Sequence, residues 1–196
     1  MARDRRLRRT GLASRLRYDT PMIDLPDIRD SRPADVAALE TLYPDAFPAE
    51  DLLPLVKDLL NDEPIRSSLV AVIDGAVLGH VIFTHCGLTG RSERVALLGP
   101  LAVASKWQRK GLGRALVQAG LQRLRTGGTR EVFVLGDPAY YGRLGFLPAR
   151  DVAPPYALPP AWHGAWQVQR LEAAASPLQG GLAVPDPWRK PQLWMP

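Results

Sequence analysis

A chain of 196 residues, 46% hydrophobic and 23% charged, can build one domain with a real core and is too short for two ordinary ones. No apolar run approaches the ~20 residues of a membrane span, and nothing at the start reads as a secretory signal. The single cysteine, Cys86, excludes an intrachain disulfide and fits a reducing compartment, so the cytoplasm is the expected location, with no membrane partner.

The net charge of +5 is unevenly spread. Seven arginines and one aspartate in the first 17 residues carry +6, which leaves −1 on residues 18–196. Residues 1–21 are therefore expected to be a basic, disordered leader. A nucleic-acid arm or an organelle transit peptide are the alternatives for such a composition. The near-neutral body argues against a nucleic-acid partner.

In chain order, residues 25–30 read as a first strand. "SRPADVAALETLY" reads as a helix with Ser31 or Arg32 at its cap, Pro33 in its first turn and Val36, Leu39 and Tyr43 on one face. A second helix is expected over about 49–60, where Pro54 is tolerable only near the first turn. The period then changes: "SLVAVIDGAVLGHVIFTHCGL" is two β runs joined by Asp74-Gly75, a hairpin signal. "RVALLGPLAV", 94–103, is a third long run, and its Gly99-Pro100 predicts a bulge or splay, because proline lacks a ladder donor.

A helix is expected from Gly111 to about Arg125, with Leu112, Leu116, Ala119 and Leu124 facing inward and "TGG" ending it. "EVFVLGD", 131–137, follows as a strand, then a short helix through Tyr141 to Leu144, and "WQVQRLE", 166–172, as a late strand. Residues 173–196 show little regular pattern, and Trp188 and Trp194 are expected to pin them onto the domain. The order β-α-α-β-β-β-α-β-α-β predicts an α/β fold. Its sheet should be antiparallel early, with one strand–helix–strand unit late.

The informative stretch is "QRKGLGRALV", 108–117. It follows a strand and opens a helix, whose first N–H groups are unpaired and carry roughly half a positive charge. Gly111 and Gly113 let an anion approach those donors, and Arg109, Lys110 and Arg114 add charge, so a diphosphate is the natural occupant. Dinucleotide binding asks for a third glycine where Leu116 stands, and nothing matches the phosphate loop of nucleotide hydrolases.

Gln108-Arg109-Lys110-Gly111-Leu112-Gly113 resembles the pyrophosphate signature of the GCN5-related N-acetyltransferase (GNAT) family. "YYGRLGF", 140–146, matches that family's Tyr-x-x-x-Gly-Phe stretch with Tyr141 in the tyrosine position, and "FVLGDPAYYGRLGF" resembles predicted acetyltransferases of the family. The resemblance covers about 25–172 and implies a mixed, mostly antiparallel sheet flanked by helices and splayed between its fourth and fifth strands. It implies an acyl-coenzyme A N-acyltransferase domain over 22–172, with 173–196 as a Pro/Trp-rich extension packed on it.

The same resemblance implies acetyl-CoA as cosubstrate, no metal, an amine acceptor, and direct transfer with both substrates bound. Backbone N–H groups from about Arg109 to Arg114 would hold the diphosphate, with Gln108, Lys110, Gly111, Leu112 and Gly113 in that turn. Leu101, Ala102 and Val103 would run beside the pantetheine arm, and Asp137 stands where relatives place a polar contact to the coenzyme. Tyr141 is the implied general acid for the leaving thiolate, and neighbouring Tyr140 is expected to point into packing.

The base is less legible. Residues 94–103 hold no acid, and Glu93 sits at the strand's edge. His80 or His85, on opposite faces of the preceding strand, is the candidate base. Cys86 reads as a small buried hydrophobe. The acids at 45, 50, 51, 58, 62 and 63 would attract a cationic amine or simply form a solvated helix face. A non-catalytic acyl-CoA-binding domain is the alternative function. A homodimer stays open, since the Trp/Pro-rich end could cap its own sheet or reach across to a partner.

Overall fold

The computed structural model describes residues 26–61, 66–172 and 176–195. The basic leader lies outside the described residues, as do Asp62 and Glu63. Strand β1 (Asp27–Asp30) leads through a 3-10 turn at Pro33–Asp35 into α1 (Val36–Ala46), and α2 (Leu53–Asn61) places Pro54 in its first turn as its missing N–H requires. The Arg29 guanidinium grips both oxygens of Asp35 at 2.7 and 2.8 Å, tying β1 to the start of α1 and holding that carboxyl below the usual range.

Strands β2 (Arg66–Ile73) and β3 (Ala76–Leu88) form the expected hairpin, with Asp74 and Gly75 both at positive φ, 50° and 77°. β4 (Arg91–Val103) continues the antiparallel meander. After α3 (Leu112–Thr126), β5 (Glu131–Leu135) lies parallel to β4, the one strand–helix–strand unit expected. α4 (Pro138–Tyr141) follows, then β6 (Leu147–Pro148), β7 (Val152–Ala153), β8 (Trp166–Arg170) and β9 (Gly180–Ala183). The sheet runs β1-β2-β3-β4-β5-β8-β6, so it is open, mixed and mostly antiparallel, as the resemblance implied.

Period-2 alternation divides the core in two. Ile82, Leu97, Phe133 and Trp166 face α1, α2 and the C-terminal segment, whereas Val81, Phe83, Val132 and Val134 face α3. On α3 the buried side includes Val117, Gly120 and Leu121, while Ala119 is only partly buried. Gly120 is there because the Phe83 ring lies flat where its Cβ would be. Gly120→Ala would stabilise an exposed helix by about 1 kcal/mol; here it is expected to destabilise by about 1–3 kcal/mol, read from the midpoint of urea unfolding.

The C-terminal segment is more regular than its sequence suggested. β9 pairs with Gly87 and Leu88 of β3, beyond the point where β2 ends, and with Val152 and Ala153 of β7. Its alternation is only four residues long and half glycine, which hides a strand from sequence reading. Glu131, buried at the start of β5, accepts the Leu178 N–H at 3.2 Å and ties this segment to the sheet.

Candidate active site

The bulge expected at Gly99-Pro100 is present: Phe83 pairs with Leu98 and Val81 with Leu101, so two residues of β4 oppose Ile82 alone. The extra residue shifts the alternation by one. Leu101 and Val103 thereby pack toward α3 with Leu98, and Ala102 is buried under α1. Pairing between β4 and β5 stops at Leu98 and Val134. Beyond that point the β5-facing edge of β4 carries no strand partner among the described residues, and the two strands splay.

At the end of β4 the chain turns sharply. Arg109 (φ 59°) and Gly111 (φ 88°) take left-handed conformations, and Gly111 caps α3. The first intrahelical bond runs from Ala115 N–H to the Gly111 carbonyl at 3.0 Å, so the N–H groups just before Ala115 point out of the helix end. A cavity of about 370 Å³ opens there, lined by Leu101, Val103, Gln108, Arg109, Gly111, Gly113 and Arg114, by Tyr140 and Tyr141, and by Ala46 and Phe47 from α1.

Side chains of the turn also make contacts of their own. Gln108 donates through Nε2 to the Val103 carbonyl at 3.2 Å and holds the turn against its strand. Lys110 lies over the Trp107 ring, 4.9 Å from its centroid. Leu112 is buried beneath, in the core under α3. Asp45, at the end of α1, accepts from both Ser105 N–H (2.7 Å) and Ser105 Oγ (2.8 Å), which fixes the far wall relative to the turn and lowers the Asp45 carboxyl pKa.

The two tyrosines reverse the expectation for one of them. Tyr140 does not turn into packing. Its hydroxyl stands over the turn, 2.6 Å from where a Cβ on Gly113 would lie. Tyr141 lines the same cavity from deeper, edge-on to Phe146 (centroids 5.6 Å apart) and Tyr140 (5.0 Å), with its ring filling the space a side chain at Gly136 would need. Burial pushes its phenol pKa up, so it keeps its proton across the physiological range.

The expected histidine base is not at this cavity. His80 is fully buried, with Nδ1 2.8 Å from the Tyr43 hydroxyl and Nε2 2.7 Å from Ser68 Oγ. Both ring nitrogens are occupied in a relay that pins α1 to the sheet, so neither is available to an amine. His85 faces the other side of β3, opposite Ala96 and outside the cavity lining, its pKa lowered by burial and by Arg94. Glu93 is the third residue of β4 and is paired with Arg91 and Arg130. Cys86 is half-buried, its Sγ 3.4 Å from the Thr84 carbonyl, and burial pushes its thiol up to about 12. Among the described residues no cluster of three or more His, Cys, Asp or Glu could hold a metal, and no helix is long and apolar enough to cross a membrane.

Two further hollows flank the splay. A small one of about 140 Å³ lies against Gly99 and Pro100 on one side and Trp188 and Trp194 on the other. A larger one of about 680 Å³ is lined by Glu50, Asp51, Asp137, Trp162 and Met195 among others. Asp137 thus lines this outer hollow and not the glycine-turn cavity, and its carboxylate caps α4 by accepting the Ala139 N–H at 2.8 Å. No motif marks the outer hollow. Its walls come from the α1–α2 connection, the end of β5, residues 161–165 and residues 192–195, which only folding brings together.

A family model described as the acetyltransferase (GNAT) family matches residues 36–146. The uncharacterized N-acetyltransferase YjhQ of Escherichia coli K12 is 35% identical over 161 residues, covering 79% of this chain and 87% of its own. Among solved structures, the E. coli N-acetyltransferase YhbS in complex with CoA superposes with a TM-score of 0.77 at 32% identity, covering 84% of this chain and 92% of YhbS. A Brucella melitensis acetyltransferase in complex with acetyl-CoA gives a TM-score of 0.68 at 30% identity, covering 84% and 98%.

Proposed function

Since this chain belongs to the acetyltransferase (GNAT) family of acyl-CoA-dependent N-acetyltransferases, we propose that it moves the acetyl group of acetyl-CoA to a primary amine of a small molecule or protein, by direct attack with both substrates bound. The observation that carries this reading is the path from the glycine turn to the splay. Free N–H donors and the Arg109 and Arg114 charges sit at one end, the unpaired edge of β4 follows, and Pro100 opens onto the small hollow where Leu101 leaves the first cavity. The complexes of YhbS with CoA and of the Brucella protein with acetyl-CoA support that choice of donor.

The residues fit the donor by chemistry as well as by shape. The α3 N-terminus suits the diphosphate, and Tyr140 adds a hydroxyl donor at the same spot. The edge of β4 beyond Leu98 offers backbone groups to the amides of the pantetheine arm, as a strand adds to a sheet edge. In the transfer, the amine nitrogen forms a bond to the thioester carbonyl carbon and the carbon–sulfur bond breaks. Tyr141 gives its phenolic proton to the departing thiolate, and the proton shed by the nitrogen passes to solvent in the outer hollow, from which the phenolate is reprotonated. The carboxylates of Glu50, Asp51 and Asp137 around that hollow favour an acceptor that arrives as a cation.

The test is release of coenzyme A from acetyl-CoA in the presence of primary amines. With no histidine at the cavity, the expected rate rises with pH until the acceptor's own ammonium has titrated, with no inflection near pH ~6.5. Tyr141→Phe should lower kcat by about 10²-fold while acetyl-CoA affinity is unchanged. Acetyl-CoA binding without turnover on any amine would favour a non-catalytic binding domain instead.

A further inference from the structure

The final segment of the chain bears directly on which amine is used. Trp188 donates through its indole to Thr84 Oγ1 at 3.0 Å, and Trp194 donates to the Trp188 carbonyl at 3.1 Å. Both rings are buried, at 8% and 1% exposure. These anchors hold residues 186–195 across the gap where β4 and β5 part, so this segment closes one side of both hollows.

The small hollow and the outer one share three residues: Leu52 from the α1–α2 connection, Leu135 from the end of β5 and Leu193 from the C-terminal segment. Three leucines from three distant parts of the chain therefore form the neck between the place where an amine arrives and the splay. A ring of this composition makes two demands. It offers no hydrogen bond to a hydrated ammonium, so it admits the neutral amine, the form that can attack. The hollow behind it is also small, about 140 Å³, so carbon branching next to the nitrogen has to displace a leucine.

Resting on the proposed transfer reaction, we infer that Leu193 sets the girth of the acceptor and that the acceptor is a primary amine on an unbranched carbon stem. Leu193 is the neck residue best suited to tune this. It is only partly buried, and it adjoins Trp194 without being part of that residue's hydrogen-bonded anchor. Leu135 ends a core strand, and Leu52 accepts the Val56 N–H at the start of α2.

The experiment uses the full chain and its Leu193→Ala, Leu193→Met and Leu193→Phe variants, with n-butylamine and sec-butylamine as paired acceptors. The unaltered protein should prefer the linear amine by about tenfold or more, the scale of one carbon in a fitted pocket. Leu193→Ala should shrink that preference several-fold, Leu193→Met should keep it, and Leu193→Phe should slow both amines. Acetyl-CoA affinity, measured by calorimetry, should stay the same throughout and confirms that each variant is folded.

A linear-to-branched ratio that is the same in all four proteins, with acetyl-CoA still bound, overturns this inference and leaves the transfer reaction standing. Acetyl-CoA binding with no turnover of any amine overturns the transfer reaction. In that case quenching of tryptophan fluorescence by the two amines reads the neck directly, because Trp162, Trp188 and Trp194 line the two hollows. Equal quenching in Leu193→Ala and the unaltered protein then overturns the inference as well.

Discussion

Gly113→Glu is expected to remove acetyl-CoA binding while the protein remains folded. Residue 113 is the second of α3, and a Cβ there would already lie 2.6 Å from the Tyr140 hydroxyl and 3.5 Å from Val103 Cγ2. A longer side chain has only the cavity to enter, and glutamate brings its charge to where a diphosphate would lie. Two like charges about 4 Å apart repel by about 1 kcal/mol in water and about 4 kcal/mol near a protein surface, hence about 5- to 10³-fold in affinity before the occupied volume is counted.

The same change favours the helix. Replacing glycine in a helical turn gains up to about 1 kcal/mol, and an acid in the first turn complements the dipole. Lost binding could therefore not be attributed to unfolding, and a thermal melt alongside the calorimetric titration verifies this. Gly113→Ala separates the causes, since its uncharged methyl group is crowded only by the end of the Tyr140 side chain and should weaken binding far less. Near-normal affinity in Gly113→Glu would place the diphosphate elsewhere and remove the basis for the proposed donor.

Trp194→Ala is expected to cost about 3–5 kcal/mol of stability, a large share of the ~5–15 kcal/mol that holds a domain together. The indole is 1% exposed and packs against Trp166 (ring centroids 6.0 Å apart), Trp188 (6.1 Å) and Tyr156 (6.4 Å). Its removal leaves a hole among rings that are themselves held in place and cannot collapse into it. It also takes away the hydrogen bond to the Trp188 carbonyl. The urea midpoint should fall sharply with an unchanged slope. Trp194→Phe, which keeps an aromatic ring, should recover part of the loss. A cost below about 1 kcal/mol would mean that residues 186–195 lie on the domain without stabilising it, and the neck formed by Leu193 would lose its support.

Local chemistry was legible along the chain. Asp74-Gly75 requires two left-handed residues in succession and so announced a hairpin; Gly99-Pro100 removes a ladder donor and so announced the bulge. Glycines at 111 and 113 before an apolar helical stripe announced a helix start with a left-handed glycine cap. Each of these is decided by the residue's own backbone freedom or hydrogen-bonding capacity, within a few positions, and tertiary context had little left to alter. Trp188 and Trp194 were legible as anchors for a similar reason, since rings of that size rarely stay in water.

What only the folded chain decided was which side chains share a space. The two histidines looked alike in sequence, each a lone imidazole on one strand. One is locked between Tyr43 and Ser68, 37 and 12 positions away, and the other lies beside Ala96, short of the bulge beyond which Leu101 and Val103 line the cavity, so neither meets it. Tyr140 departed from expectation because a one-residue step in a short helix turns a side chain by about 100°, which took Tyr140 out over Gly113 while Tyr141 lines the same cavity against Phe146. The outer hollow had no signature at all. Its neck joins Leu52, Leu135 and Leu193, residues whose types are ordinary and whose meeting depends on the extra residue in β4, the strand splay it permits and the tryptophans that draw the last turn of chain across the gap.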